Sequence, residues 1–134
     1  MKFIHTADIH LGAEPDAGSS YSTERQEELW NSFERLLDVC EEEQTDLLLV
    51  AGDLFHRQPL RKELKELDYL FSRLTHTQVV LMAGNHDYLK STSYYRNYPW
   101  QGPVHMFLSQ RPACMEFAEI GTCVYGLSYE QREI

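Results

Sequence analysis

The sequence predicts an α/β domain with a parallel βαβαβ core and a C-terminal antiparallel hairpin. Three observations carry that reading. Apolar runs at 2–7, 46–51 and 78–83 have the length of strands, and the intervals between them carry apolar residues at helical spacing. Each run ends directly in a polar segment: His5-Thr-Ala-Asp-Ile-His-Leu-Gly12, Gly52-Asp-Leu-Phe-His56 and Gly84-Asn-His-Asp87. Parallel strands deliver their carboxyl ends to one sheet edge, so Asp8, His10, Asp53, Asn85, His86 and Asp87 should converge there.

The elements follow in order. Residues 2–7 hold Phe3 and Ile4 and read as a first strand, followed by a ligand-bearing loop as far as Ser22. Thr23 with Gln26 offers a capping box, and Leu29, Trp30, Phe33, Leu36, Leu37 and Cys40 predict an amphipathic helix over 23–43. Its Glu41-Glu42-Glu43 end puts negative charge at the unfavourable pole of the helix dipole, so that turn is expected to fray or to meet a cation. The continuous apolar run at 46–51 suits a strand covered on both faces. Pro59 stands where a second helix could begin, with Leu60, Leu64, Leu67, Leu70, Phe71 and Leu74 as its apolar stripe. Residues 78–83 form the third strand. Beyond Asp87 an aromatic loop with one short helix contains Tyr88, Tyr94, Tyr95, Tyr98, Pro99 and Trp100. Core packing or loop anchoring is favoured for these rings over stacking on nucleic-acid bases. A strand over 104–108 follows, and 114–118 with 122–127 form the hairpin.

At 134 residues and 43% hydrophobic content, the chain suffices for one domain with a real core. No apolar stretch approaches the roughly 20 residues needed to cross a bilayer, and the N-terminus leads straight into the first strand without room for a signal peptide, so a cytoplasmic protein without membrane contact is expected. Cys40, Cys114 and Cys123 form no CxxC pair. Cys40 falls on a helix stripe, and Cys114 and Cys123 are placed to face each other across the hairpin, with reduced thiols the favoured state. A net charge of -9 argues against holding nucleic acid by a broad basic surface. A phosphate-bearing substrate would then be held chiefly by metal, helped by Arg57, Arg61, Lys62 or Lys90.

The chemistry of the three segments suits a pair of divalent cations. Asp53, after the central strand and beside Gly52, is the candidate bridge between them. Asp8 and His10 can reach one ion, and their mixture of hard oxygen and borderline nitrogen favours manganese, iron or zinc over calcium. Asn85 offers a neutral oxygen to the second ion. His86 would stand free of the metals to orient substrate or protonate a departing alkoxide, with Asp87 as partner for its ring. His56 either contacts the phosphate from another side or is a solvated loop histidine. His5 reads as a packed or hydrogen-bonded strand residue and His76 as solvent-facing. Any one segment could be a polar turn after a buried strand, but three on one edge make that explanation poor.

These segments resemble the first three motifs of the calcineurin-like metallophosphoesterases, and the wording His-Thr-Ala-Asp-x-His-Leu-Gly with Gly-Asp-Leu-Phe-His is similar to the SbcD-type DNA repair nucleases. The likeness covers residues 1–87 well and the rest loosely. It implies that Asp8 and His10 bind the first metal, Asp53 bridges, Asn85 binds the second, His86 assists catalysis and His56 lies near the scissile phosphate. It also implies two manganese ions as cofactor, DNA as substrate, exonuclease or endonuclease activity and an SbcC-type coiled-coil ATPase as partner.

Relatives of this kind complete the site with later histidines and the fold with the second sheet of an αββα sandwich. Residues 1–134 are accordingly expected to be the N-terminal part of such a domain, with exposed apolar sheet surface through which copies could pair as a homodimer. The first ion then has three protein ligands and should bind weakly or moderately, while the second, with Asp53 and Asn85 alone, should be largely absent. Two other functions stay open: a phosphoesterase acting on nucleotides or phosphoproteins, and an inactive fragment that serves as a binding module.

Overall fold

Alternate residues of the central strands enter two different cores, which is what a sheet covered on both faces requires. The computed structural model describes residues 1–14 and 18–133. Its main sheet runs in the order β1 (Phe3–Thr6), β2 (Leu47–Ala51), β3 (Gln78–Met82) and β4 (Val104–Met106), and every neighbouring pair is parallel. The register aligns Leu48 with Ile4 and Val79, and Leu81 with Val50 and Met106.

Helices α1 (Ser22–Glu42) and α2 (Arg61–Phe71) cover one face. Phe33, Leu37 and Cys40 of α1 and Leu64, Leu67 and Phe71 of α2 pack with Leu48, Val50, Val79 and Leu81 into the larger core. The opposite residues, Leu47, Leu49, Val80 and Met82, turn to the other face. There they meet Phe107 and a hairpin of β5 (Ala113–Phe117) and β6 (Thr122–Gly126) through Met115, Phe117 and Val124. The hairpin leaves an apolar groove lined by Leu49, Val80, Met82, Phe107 and Val124.

The predicted fold class is therefore the observed one, with a fourth parallel strand extending the core. Details at the helix ends differ. Helix α1 starts at Ser22 after Tyr21 and has no side-chain cap, so Thr23 lies inside the first turn and the expected capping box is absent there. The reaching-back contact is found on α2 instead, where Glu63 Oε1 accepts from Leu60 N at 2.8 Å and Pro59 precedes the cap residue Leu60. The acidic end of α1 does meet a cation: Lys2 Nζ lies 3.4 Å from Glu43 Oε2 and donates to the Glu43 carbonyl. Glu41 accepts from the backbone and hydroxyl of Thr75, which holds its carboxyl below the ordinary value.

The aromatic loop is anchored to the larger core. Tyr95 is buried within a 3-10 turn at Tyr94–Asn97, and Trp100 lies 6.2 Å from the ring of Phe71. Buried Asp68 accepts from Gln101 N, Gly102 N and Tyr98 Oη. His76 faces solvent as expected and pairs with Asp46 at 2.7 Å, and His105 pairs with Gln78 at 2.8 Å. Among the described residues no helix is long and apolar enough to cross a membrane.

Candidate metal centre

The loops leaving β1 and β2 are zipped together by backbone hydrogen bonds. Asp8 N donates to Gly52 O at 3.1 Å, His10 N to Asp53 O at 3.0 Å and Leu11 N to Leu54 O at 2.8 Å, and His56 N returns to Leu11 O at 2.9 Å. The parallel pairing thus continues past the strands, with Leu11 and Phe55 in an isolated bridge. Both side chains are buried and pin the loops to the core. Residues 15–17 of the segment expected to form the ligand-bearing loop lie outside the described residues.

Backbone conformation marks the same positions. Asp8, His10 and Asp53 have φ of 55°, 56° and 52°, three of the four non-glycine residues with positive φ among those described. That left-handed region is uncommon for residues with a Cβ, although Asp and His enter it more readily than most. Strain concentrated on three polar residues that meet in space is a mark of a functional site.

Asp8, His10 and Asp53 can each offer a ligand atom such that all lie within 4.8 Å of one another. Two carboxylates and an imidazole at that spacing fit a divalent transition metal by donor chemistry. Asp53 is nearly enclosed at 7% exposure, while the Asp8 side chain is open to solvent. Asp53 Oδ1 accepts from His86 N at 2.9 Å, leaving the remaining lone pairs of the carboxylate for cations. A buried carboxylate held by one backbone donor is costly without a positive partner, which adds to the fit.

A second group overlaps the first. His10, His56 and His86 also bring ligand nitrogens within 4.8 Å of one another. His10 Nδ1 and His56 Nδ1 are 3.1 Å apart, and the rings of His56 and His86 stack at 4.9 Å. His86 Nδ1 lies 3.0 Å from the His56 carbonyl, so Nδ1 carries the proton and Nε2 is left free. Burial, followed by the neighbouring His10 and His86, pushes the His56 imidazole below its ordinary value. His56 is therefore a member of the cluster and not an isolated loop residue.

Asn85 is exposed in the tight loop after β3. Its two neighbours both touch Asp53: His86 through its N–H, and Gly84 through an α-carbon so close that an added Cβ would stand 2.6 Å from Asp53 N. Asp87 corrects the expectation. Its carboxylate is fully buried and accepts from Gly84 N at 2.8 Å, Phe55 N at 3.2 Å and Tyr95 Oη at 2.8 Å. Turned inward to tie the β2 and β3 loops together, it is not the partner of the His86 ring, whose Nδ1 is taken by the His56 carbonyl. Burial raises the Asp87 pKa even against those three donors. Tyr95 completes this tie, and nothing in its spacing sets it apart in the sequence from the other tyrosines of the aromatic loop.

The basic residues near the site divide. Arg57 is held in a two-point pair with Glu63 at 2.8 and 3.1 Å, and Arg61 lies 5.6 Å over the Tyr98 ring. Lys62 and Lys90 are exposed.

The model of the calcineurin-like phosphoesterase family matches residues 1–132. The chain belongs to the calcineurin-like phosphoesterase family. It is 32% identical along its whole length to the uncharacterized metallophosphoesterase YhaO of Bacillus subtilis (strain 168). Over 64% of the chain it is 36% identical to the DNA double-strand break repair protein Mre11 of Aeropyrum pernix, and over 65% it is 32% identical to the SbcD component of the nuclease SbcCD of Escherichia coli (strain K12). It spans 35% of the length of YhaO and 21% of each of the other two. Members of this phosphoesterase family use divalent metals, and the Asp8, His10 and Asp53 group is a donor set of the kind they require.

Proposed function

We propose that this chain carries the metal-binding half of a phosphodiester-hydrolysing centre that acts on DNA in the manner of the SbcD-type nucleases. The observation that carries the reading is the meeting of Asp8, His10 and Asp53, each in a left-handed backbone conformation, at the carboxyl edge of parallel strands. Asp8 and His10 would hold one cation with Asp53, and Asn85 would serve a second that shares Asp53. Manganese is the proposed ion, consistent with the mixed oxygen and nitrogen donors. When bound, such cations supply positive charge to phosphoryl oxygens and lower the pKa of water for in-line attack.

The chain's own groups then have separate tasks. His86, with Nδ1 fixed on the His56 carbonyl, would use Nε2 to hold or donate a proton at the leaving oxygen. His56 orients the phosphate from the side of His10. Asp87 positions the loops and touches no substrate. The likeness to the DNA double-strand break repair protein Mre11 and to a subunit of the nuclease SbcCD supports DNA as substrate. An SbcC-type ATPase is the proposed partner, as the resemblance of the motifs implies. A cytoplasmic location and pairing of copies through the apolar groove belong to the same reading.

The test has two parts. Calorimetric titration with manganese should show one site of weak to moderate affinity, and two equally tight sites would contradict the donor count. Manganese-dependent cleavage of a generic phosphodiester by the complete protein should be outcompeted by duplex DNA and not by small nucleotides. The reverse competition would move the substrate to small phosphoesters.

A further inference from the structure

Among the described residues, strands β5 and β6 form a sheet of their own, paired with no third strand, with one face toward the core and one toward solvent. The register pairs Cys114 with Tyr125 and Glu116 with Cys123. Cys114 and Cys123 are therefore diagonal neighbours on one face, opposite to Met115 and Val124, which pack inward. Both cysteines are free and exposed. The neighbouring Cys114 thiol is the first cause raising the Cys123 pKa.

We propose that Cys114 and Cys123 are a reversible redox site, closing to an intramolecular disulfide across the β5–β6 hairpin by exchange with a low-molecular-weight disulfide such as glutathione disulfide. The geometry admits it. A disulfide needs α-carbons within about 7 Å, and diagonal neighbours stand at about 7 to 8 Å in a flat sheet. A two-stranded ribbon twists more than a wide sheet, and this one has no third strand to hold it flat. The chemistry balances. One cysteine thiolate attacks a sulfur of glutathione disulfide, forming a mixed disulfide and releasing one glutathione thiolate. The second cysteine thiolate then attacks the protein sulfur of that mixed disulfide, forming the internal bond and releasing a second glutathione. Two protein thiols are oxidised, one external disulfide is reduced, and the two protons lost by the protein thiols are taken up, through solvent, by the two released glutathione thiolates. Exposed disulfides of this kind are the labile ones, formed and reduced as the surrounding thiol pool changes.

Cys40 is an internal control. It is fully buried among core residues, out of reach of a soluble disulfide, so it should not react in the folded chain. The experiment equilibrates the chain in glutathione redox buffers, quenches with acid, alkylates and maps peptides by mass. The expected result is joint loss of the Cys114 and Cys123 thiols, a bridged peptide lighter by two hydrogens, and an unmodified Cys40. In Cys114→Ser, Cys123 should instead carry glutathione, and only at a glutathione disulfide concentration at least about tenfold higher, because the internal thiol no longer captures the mixed disulfide. Stable glutathione adducts on the unaltered chain without the bridge, or disulfide-linked dimers in its place, would overturn the proposal. It does not depend on the phosphoesterase reading, and manganese titration of reduced protein tests that reading separately.

Discussion

The α-carbon of Gly84 lies against Asp53, leaving no room for a side chain: a Cβ would stand 2.6 Å from Asp53 N and press into Oδ1 of the carboxylate. One of the obstructing atoms is backbone, held by the pairing of β2 with β3, so the loops themselves would have to move. Gly84→Ala is expected to lower manganese affinity at least about tenfold and to cost about 1 to 3 kcal/mol of stability, the usual range for overpacking. Calorimetry and urea unfolding would measure the two effects. Unchanged affinity would mean that Asp53 does not anchor the ion.

Asp53 itself should behave in the opposite way without metal. Its carboxylate is buried close to Asp8, with Asp87 on the other side of Gly84. Asp53→Asn removes an unpaired buried charge, so the metal-free protein should be as stable as the original chain or more so. The rise in melting temperature that manganese gives the original chain should vanish in the variant. Differential scanning calorimetry with and without manganese reads both outcomes. A variant that keeps the shift would remove Asp53 from the ligand set.

The buried bond from Tyr95 Oη to Asp87 Oδ2 ties the aromatic loop to the two ligand loops. Tyr95→Phe keeps the ring packing and deletes only that donor, so a loss of about 1.5 to 3 kcal/mol is expected, as for a hydrogen bond to a charged group. If Asp87 positions the loops, manganese affinity should fall as well, while Tyr94→Phe on the exposed neighbour changes neither quantity. Urea midpoints and titration of the two variants side by side would settle the point.

The fold was legible where burial writes a period into the sequence. The runs at 46–51 and 78–83 and the stripe ending at Cys40 gave two strands and a helix within a residue or two of their observed bounds, while the stripe ending at Leu74 overran the second helix, which stops at Phe71. Convergence of Asp8, His10 and Asp53 followed from strand direction alone. Three things were not legible. Helix caps depend on one local hydrogen bond, and Thr23 had the right residue type but lies inside the first turn of the helix. The direction in which Asp87 faces depends on donors from Gly84, Phe55 and Tyr95, which sequence spacing does not bring together. The left-handed backbone at Asp8, His10 and Asp53 is set by the pairing of two loops, a tertiary effect with no local signature.

The contact between Glu41 and Thr75 gives a prediction about pH. Hydrogen bonds from the Thr75 hydroxyl and backbone N–H lower the Glu41 pKa in the folded chain. A depressed folded value means that the unfolded state binds the proton more readily. The stabilisation is therefore present above the unfolded pKa, about 4.3 for a glutamate, and is lost as pH falls through the folded value. Thr75→Val removes the hydroxyl donor and keeps the volume, so its urea midpoint should lie below that of the original chain at about pH 6 and approach it at about pH 3. Asp46 is also depressed, by the Lys2 N–H and by His76, but it is common to both proteins and cancels in the difference. A gap between the two midpoints that stays constant over that range would show that the Thr75 hydroxyl acts by packing and not through the Glu41 charge.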